Sequence, residues 1–162
     1  MIKIIEAKTT EDVNIIKKVF NYKNKNYKVA LAVNPNISKD IMKDLLNLKD
    51  SSISIALASN SSLDSKIAQE IFESNEFYSL EALSKNSACP TNILDKMKDM
   101  DVFYMNLAEN PSTNISTLEY IMSAKKDFEY CYDILSDILI KRSDIECINT
   151  TRSIKRITKD NA

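Results

Sequence analysis

Residues 30–38 have the sequence ALAVNPNIS, and related nine-residue stretches recur three times further along the chain. The other copies are ALASNSSLD at 56–64, ALSKNSACP at 82–90 and NLAENPSTN at 106–114. The fifth residue of each copy is Asn34, Asn60, Asn86 or Asn110. Successive asparagines are 26, 26 and 24 residues apart. A constant period in this range is typical of repeat arrays, in which each unit buries its apolar face against the next.

Each copy predicts a helix on both sides of its asparagine. The small and apolar residues before it, such as 30–32, fit a short helix that neighbouring turns can approach closely. Four residues after the asparagine the chain has Ser38, Asp64, Pro90 or Asn114. Three of these four are favourable helix N-caps. Residues seven and eleven positions after it, such as Ile67 and Ile71, lie four apart, so we expect them to share a buried helix face.

The chain contains no glycine, which bears on the turn that follows each short helix. Helices often end with a residue in the left-handed conformation, where Gly is preferred and Asn is the next choice. We therefore expect the repeated asparagines to adopt left-handed backbone. On this hypothesis, Asn60→Val destabilises the fold because a β-branched residue disfavours that conformation.

The pattern Ala-Leu-Ala-x-Asn-Pro-Asn, followed by a capping residue and an apolar helix, resembles the leucine-rich repeat variant family. The resemblance covers roughly residues 28–124 and is best at 34–36 and 110–112, where Pro follows the asparagine. It implies repeats of about 24 residues that alternate an α-helix with a short 3₁₀ helix in a right-handed superhelix. One family member carries an iron–sulfur cluster on a separate cysteine-rich segment, and this sequence contains no such cluster of cysteines.

These patterns together predict an all-α fold, a solenoid of about four short helical repeats of 24–26 residues with helical caps. The family resemblance implies that the solenoid is a right-handed superhelix. We expect an N-terminal capping helix and loop in residues 1–27, with the helix within 9–20 and Thr9 or Thr10 as its cap. The repeats occupy residues 28–124, and a C-terminal capping helix and basic tail occupy 125–162.

The composition argues against many enzyme classes. The 162 residues include no His, the commonest general base and metal ligand, and no Gly, which phosphate-binding loops require. The three cysteines, Cys89, Cys131 and Cys147, form no C-x-x-C pair, so we expect reduced structural thiols. We predict a protein that is not an enzyme and has no cofactor and no metal.

Localisation is predicted from two absences in the sequence. No apolar run is long enough to span a membrane, and the first residues lack the apolar core of a signal peptide. The sequence therefore favours a cytoplasmic protein without a membrane partner. It leaves the oligomeric state open.

The first functional hypothesis is a non-enzymatic scaffold that binds a protein partner. Such a protein could serve as a bacterial adaptor, or as an inhibitor encoded by a phage or mobile element. Exposed, non-repeating positions on the predicted helices are the candidate contacts: Lys39, Lys43, Lys66, Gln69, Lys96 and Glu119.

The second hypothesis is a helical repeat protein that binds nucleic acid. Residues 141–162 carry a net charge of +3 and include all the arginines of the chain. The basic candidate contacts there are Arg142, Arg152, Lys155 and Arg156. Residues 21–28, NYKNKNYK, interleave tyrosines with lysines, a pattern that can stack on bases. Against this hypothesis, the sequence pI is about 5.6, whereas nucleic-acid-binding domains usually exceed about 9.

Overall fold

The computed structural model describes residues 2–124 and 136–142, and within these two ranges the regular elements are helices, without a strand. The helices of the first range are α1 (Ile4–Thr9), α2 (Val13–Phe20), α3 (Lys25–Ala32), α4 (Lys39–Leu46), α5 (Ser51–Ala58), α6 (Ser65–Glu73), α7 (Phe77–Lys85), α8 (Thr91–Lys96), a 3₁₀ helix (Asp101–Phe103), α9 (Tyr104–Glu109) and α10 (Ile115–Ala124). Residues 136–142 are also helical. For these described residues, the all-α prediction is confirmed.

The helices form two rows. In the first row α1, α3, α5, α7 and α9 pack one against the next, and in the second row α4 packs on α6 and α6 on α8. The rows are joined because consecutive helices, such as α4 with α5 and α6 with α7, also pack together. Each helix before a repeated asparagine therefore lies in the first row, and each helix after one, up to α8, lies in the second.

The core lies between the rows and contains the positions that the repeat pattern assigns to it, except that Ile41 is half-buried at its edge. Ile67 and Ile71 of α6 are buried. In the next repeat, Ile93 of α8 and Met97, which directly follows α8, are buried as well. In the last repeat the seventh position is Thr117, whose buried hydroxyl donates to the Asp95 carboxylate at 2.9 Å. The predicted buried face is thus present in these units, with one polar substitution that has found a partner.

The repeated asparagines link successive units through their side chains. The Asn60 side-chain amide donates to the carbonyl oxygens of Ala32 at 2.8 Å and Asn34 at 2.9 Å, and its Oδ1 accepts from the Ser62 amide at 2.8 Å. The same donations run from Asn34 to Ala7 and Thr10, from Asn86 to Ala58 and Asn60, and from Asn110 to Ser84 and Asn86. All four asparagines are buried. We call this series the asparagine ladder.

The prediction of left-handed asparagines is wrong. Asn86 and Asn110 have φ of −83° and −75°, in the extended region. Within the described ranges the positive-φ residues are Lys49 at 52° and Asn75 at 53°, which follow the second-row helices α4 and α6. The asparagine is used for its amide, and the left-handed turn occurs 15 residues later in these two units.

Two other local expectations also differ from the structure. The family resemblance implies that each repeat alternates an α-helix with a short 3₁₀ helix. In the structure, the segments before Asn34, Asn60 and Asn86 and the segments after them are all α-helices. The helix predicted within 9–20 begins at Val13 because Asp12 caps it, accepting from the Asn14 amide at 2.8 Å. Ser38 and Asp64 cap α4 and α6 as predicted.

Candidate protein-binding surface

The candidate contacts predicted on the second-row helices lie along the line where these helices meet. Lys43 of α4 bonds the Glu70 carboxylate of α6, and Lys96 of α8 donates to Gln69 Oε1 at 3.1 Å. The Lys96 ammonium also lies over the Phe72 ring, 5.7 Å from its centroid. We call this line of contacts the lateral seam. The polar groups of the candidate contacts Lys43, Gln69 and Lys96 are therefore occupied by bonds to a neighbouring helix.

Lys39 joins α4 and α6 at their N-termini. Its ammonium lies 2.6 Å from the carboxylate of Asp64, the N-cap of α6. The hydrogen bond from Lys39 holds the pKa of the Asp64 carboxyl below its ordinary value. Lys66 and Glu119, the remaining candidates on the second row and α10, are exposed.

Arg142, the first arginine of the predicted basic tail, contacts the last turn of the asparagine ladder within the described residues. Its guanidinium donates to the carbonyl oxygens of Asn110 at 3.3 Å, Pro111 at 3.1 Å and Thr113. The contact places this cation at the end of the array. Arg152, Lys155 and Arg156 lie outside the described residues, as do Cys131 and Cys147.

The tyrosines of residues 21–28 pack within the fold. Tyr22 and Tyr27 meet edge to face with ring centroids 5.0 Å apart, and both are half-buried. The Tyr27 hydroxyl donates to the Ile2 carbonyl oxygen at 2.7 Å, which ties down the N-terminal segment. These rings therefore stabilise the first unit, a use that competes with stacking on bases.

An exposed cluster of large apolar side chains lies at the start of α7 and in the 3₁₀ helix. Phe77 is 52% exposed, Tyr78 is 63% exposed and Val102 is 68% exposed. The Phe77 ring lies 5.4 Å from that of Tyr78 and 5.5 Å from that of buried Phe103, which follows Val102 in the chain. We call Phe77, Tyr78 and Val102 the α7 patch.

Position in the repeat shows that the α7 patch departs from the common pattern. Phe77 and Tyr78 lie nine and eight residues before Asn86, and the same positions before Asn60 hold Ser51 and Ser52. Phe77 and Tyr78 do not stand out in an alignment of the copies, because such an alignment reveals the features that the copies share. The detectable signal was an aromatic pair where the preceding unit has two serines.

Three acidic side chains that line a cleft beside α4 and α6 have polar partners within the fold. A cleft of about 460 Å³ is lined by Asp50, Glu70, Glu76 and neighbouring residues of the turns. Asp50 pairs with Lys25 at 2.8 Å, Glu70 pairs with Lys43, and Glu76 accepts from Ser79 at 2.7 Å. Nowhere in residues 2–124 and 136–142 do three or more acidic or cysteine side chains group closely enough to hold a metal ion.

Cys89, the cysteine within the described residues, is buried in the core as a free thiol. Burial raises the pKa of this thiol to about 12, so it is protonated at neutral pH and a poor nucleophile. None of the helices in the part of the chain described could cross a membrane, since each is too short or too polar.

Comparison with known proteins does not extend this picture. No family model, curated protein or solved structure matches the chain. Function is therefore inferred from the geometry of the asparagine ladder and the α7 patch.

Proposed function

We propose that this chain is a non-enzymatic scaffold that binds a protein partner through the α7 patch. The observation that carries the proposal is the exposed aromatic pair Phe77 and Tyr78, which stands where the preceding unit has two serines. Aromatic residues are enriched at the centres of protein interfaces, where they account for much of the binding energy.

The packing of the chain supports a scaffold of the solenoid type. The first-row helices and the asparagine ladder repeat one arrangement from unit to unit, so each unit contacts mainly its neighbours. About four such units form an array of the kind that the leucine-rich repeat variant resemblance implies. The extended surface of an array suits a standard interface, which buries roughly 1,200–2,000 Å² in total.

The proposal includes an adaptor or inhibitor role inside the cell. The α7 patch is built from two aromatic rings and one aliphatic side chain, which suits an apolar partner surface. Nucleic-acid binding through the basic tail is the competing function. The two functions differ in their response to nuclease and to salt, since phosphate contacts weaken steeply as salt rises.

The deciding experiment compares the wild-type chain with Phe77→Ser/Tyr78→Ser as bait in lysate from its source. The double variant places at 77–78 the Ser-Ser sequence that the fold already accommodates at 51–52. We expect a stoichiometric protein to remain bound to the wild type after nuclease treatment. Because interface hot spots contribute at least about 2 kcal/mol, we expect its affinity for the double variant to fall at least about tenfold.

Leu48→Ser/Ile5→Ser is the matched control. It also removes two exposed apolar side chains, but outside the α7 patch, and we expect it to retain the partner. Circular dichroism establishes that all three proteins are helical. Equal retention by the patch variant and the control would contradict the proposal, and loss of all recovery after nuclease would favour nucleic acid.

A further inference from the structure

Within the described residues, the lateral seam does not continue from α4 to α2. Among the described helices, α2 packs on α1 and α3, and it does not pack along α4 as α6 does. The gap forms a groove of about 410 Å³, within the range of about 300–1,000 Å³ that is typical of ligand pockets. Its apolar lining comes from Val13, Ile16 and Phe20 of α2 and Ile41 of α4.

The repeat register shows which contact is missing in this groove. The Glu70–Lys43 contact of the lateral seam defines this register. Glu70 lies ten positions after its ladder asparagine, Asn60, and Lys43 lies nine positions after the preceding one, Asn34. Asp44 lies ten positions after Asn34, and Lys17 lies 26 residues before Lys43. Asp44 and Lys17 thus stand where the seam would form a bond, yet they form no ion pair within the described residues, and both line the groove.

The groove carries an excess of negative charge. The carboxylates of Asp40 and Asp44 lie one helical turn apart on α4, both are exposed, and neither forms an ion pair within the described residues. Lys17 contributes the one cation of the lining. An apolar floor with two unpaired carboxylates at its edge is complementary to an apolar side chain that is flanked by lysine or arginine.

We infer that the α2–α4 groove binds a basic amphipathic helical segment of another protein. Apolar side chains of the segment lie on Val13, Phe20 and Ile41, as in other recognition of a helix in a groove. Its cations pair with Asp40 and Asp44, a contact that completes the lateral seam. The inference concerns a surface distinct from the α7 patch, so either site can fail in experiment without the other.

The test measures fluorescence anisotropy of a labelled, amidated helical peptide built of Leu and Lys, with the leucines along one face. We expect the full chain to bind it saturably in the micromolar range and to bind the corresponding Leu–Glu peptide much more weakly. Because an exposed ion pair is worth roughly 0.2–1 kcal/mol, the loss of both pairs in Asp40→Asn/Asp44→Asn should weaken binding about fivefold. Val13→Ser should also weaken it, because Val13 is exposed apolar lining.

Two further variants separate this site from general charge attraction. Lys17→Gln removes the competing cation, so we expect it to tighten binding of the Leu–Lys peptide. Glu109→Gln/Glu119→Gln changes the net charge as much as the aspartate pair does, at exposed positions away from the groove, and should leave binding within about twofold.

The inference is overturned if the wild type shows no saturable binding. If Lys17 and Asp44 closed the groove, or if another part of the chain filled it, the peptide would not bind saturably, and the inference would be overturned in the same way. It is equally overturned if the Leu–Glu peptide binds as well, or if the aspartate variant loses no more affinity than the glutamate control.

Discussion

At the scale of single residues, the amide of Asn60 shows why this position repeats. Its NH₂ group supplies two donors that satisfy two buried carbonyl oxygens of the preceding unit, while its carbonyl oxygen accepts from its own turn. Among short side chains only Asn offers two donors and an acceptor in this geometry. Asp has no donor when it is ionised, and Gly has no side chain.

Replacement by glycine separates the ladder from the left-handed turn. Asn60→Gly leaves the Ala32 and Asn34 carbonyl oxygens buried without their donors, and each such group costs about 1–3 kcal/mol. We therefore expect the free energy of unfolding to fall by about 3 kcal/mol or more, measured by urea denaturation. A left-handed residue would instead tolerate glycine.

Asn75→Gly is the matched control for Asn60→Gly. Asn75 has φ of 53° and is exposed, so glycine suits its backbone and removes no ladder contact. We expect its stability to stay within about 0.5 kcal/mol of the wild type. Equal losses in the two variants would contradict the role assigned to the ladder.

The sequence alone located the asparagine but not its task. A left-handed cap and an amide that bonds a neighbouring unit both select Asn over larger residues, so a single letter cannot distinguish them. The distinction depends on which carbonyl oxygens lie within reach of Asn60, and these belong to residues 26 and 28 positions earlier. Local propensity contains no information about that distance.

At the scale of helices, aspartate caps connect neighbouring units and make stability depend on pH. Asp50 and Asp64 cap α5 and α6, and each pairs with a lysine of the preceding unit, Lys25 or Lys39. The hydrogen bond from that lysine lowers the pKa of each aspartate carboxyl. The stabilisation is therefore present above the ordinary aspartate pKa of about 3.9 and is lost as the pH falls through the lower folded-state value.

Asp50→Asn/Asp64→Asn tests this dependence, because Asn is an equally good N-cap that cannot titrate. We expect the free energy of unfolding of the wild type to fall more steeply below about pH 4 than that of the double variant. Asp40→Asn/Asp44→Asn, which removes two unpaired carboxylates, is the control and should keep the steep fall. Parallel curves for the wild type and the cap variant would exclude these pairs as the cause.

The helices themselves were predictable because capping residues and apolar spacing repeat with the period. Ser38 and Asp64 were recognised as caps from their position alone, and both cap helices in the structure. The α7 patch was not predictable in the same way, since the comparison of repeats emphasises what they share. Phe77 and Tyr78 are departures from that pattern, and their exposure depends on where α7 lies beside the 3₁₀ helix.

At the scale of the whole molecule, the Asn110 carbonyl oxygen has no further ladder asparagine within residues 2–124 and 136–142 to donate to it. Asn34, Asn60 and Asn86 each have the next asparagine as a donor to the ladder, at their own carbonyl oxygen. The Asn110 carbonyl oxygen instead accepts from the Arg142 guanidinium, which also bonds Pro111. Arg142 thereby acts as a cap for the array.

Removal of this cap should loosen the end of the array and leave its beginning intact. Arg142→Gln removes charge-assisted donations worth about 1.5–3 kcal/mol, so amide exchange at Ser112 and Thr113 should quicken at least about tenfold. Exchange at Asn36 in the first ladder turn should not change, because units far apart share no contact. Lys141→Gln removes the same charge from an exposed neighbour and serves as the control. Faster exchange in both variants, or at Asn36 as well, would show that Arg142 acts through charge or global stability and not as a cap.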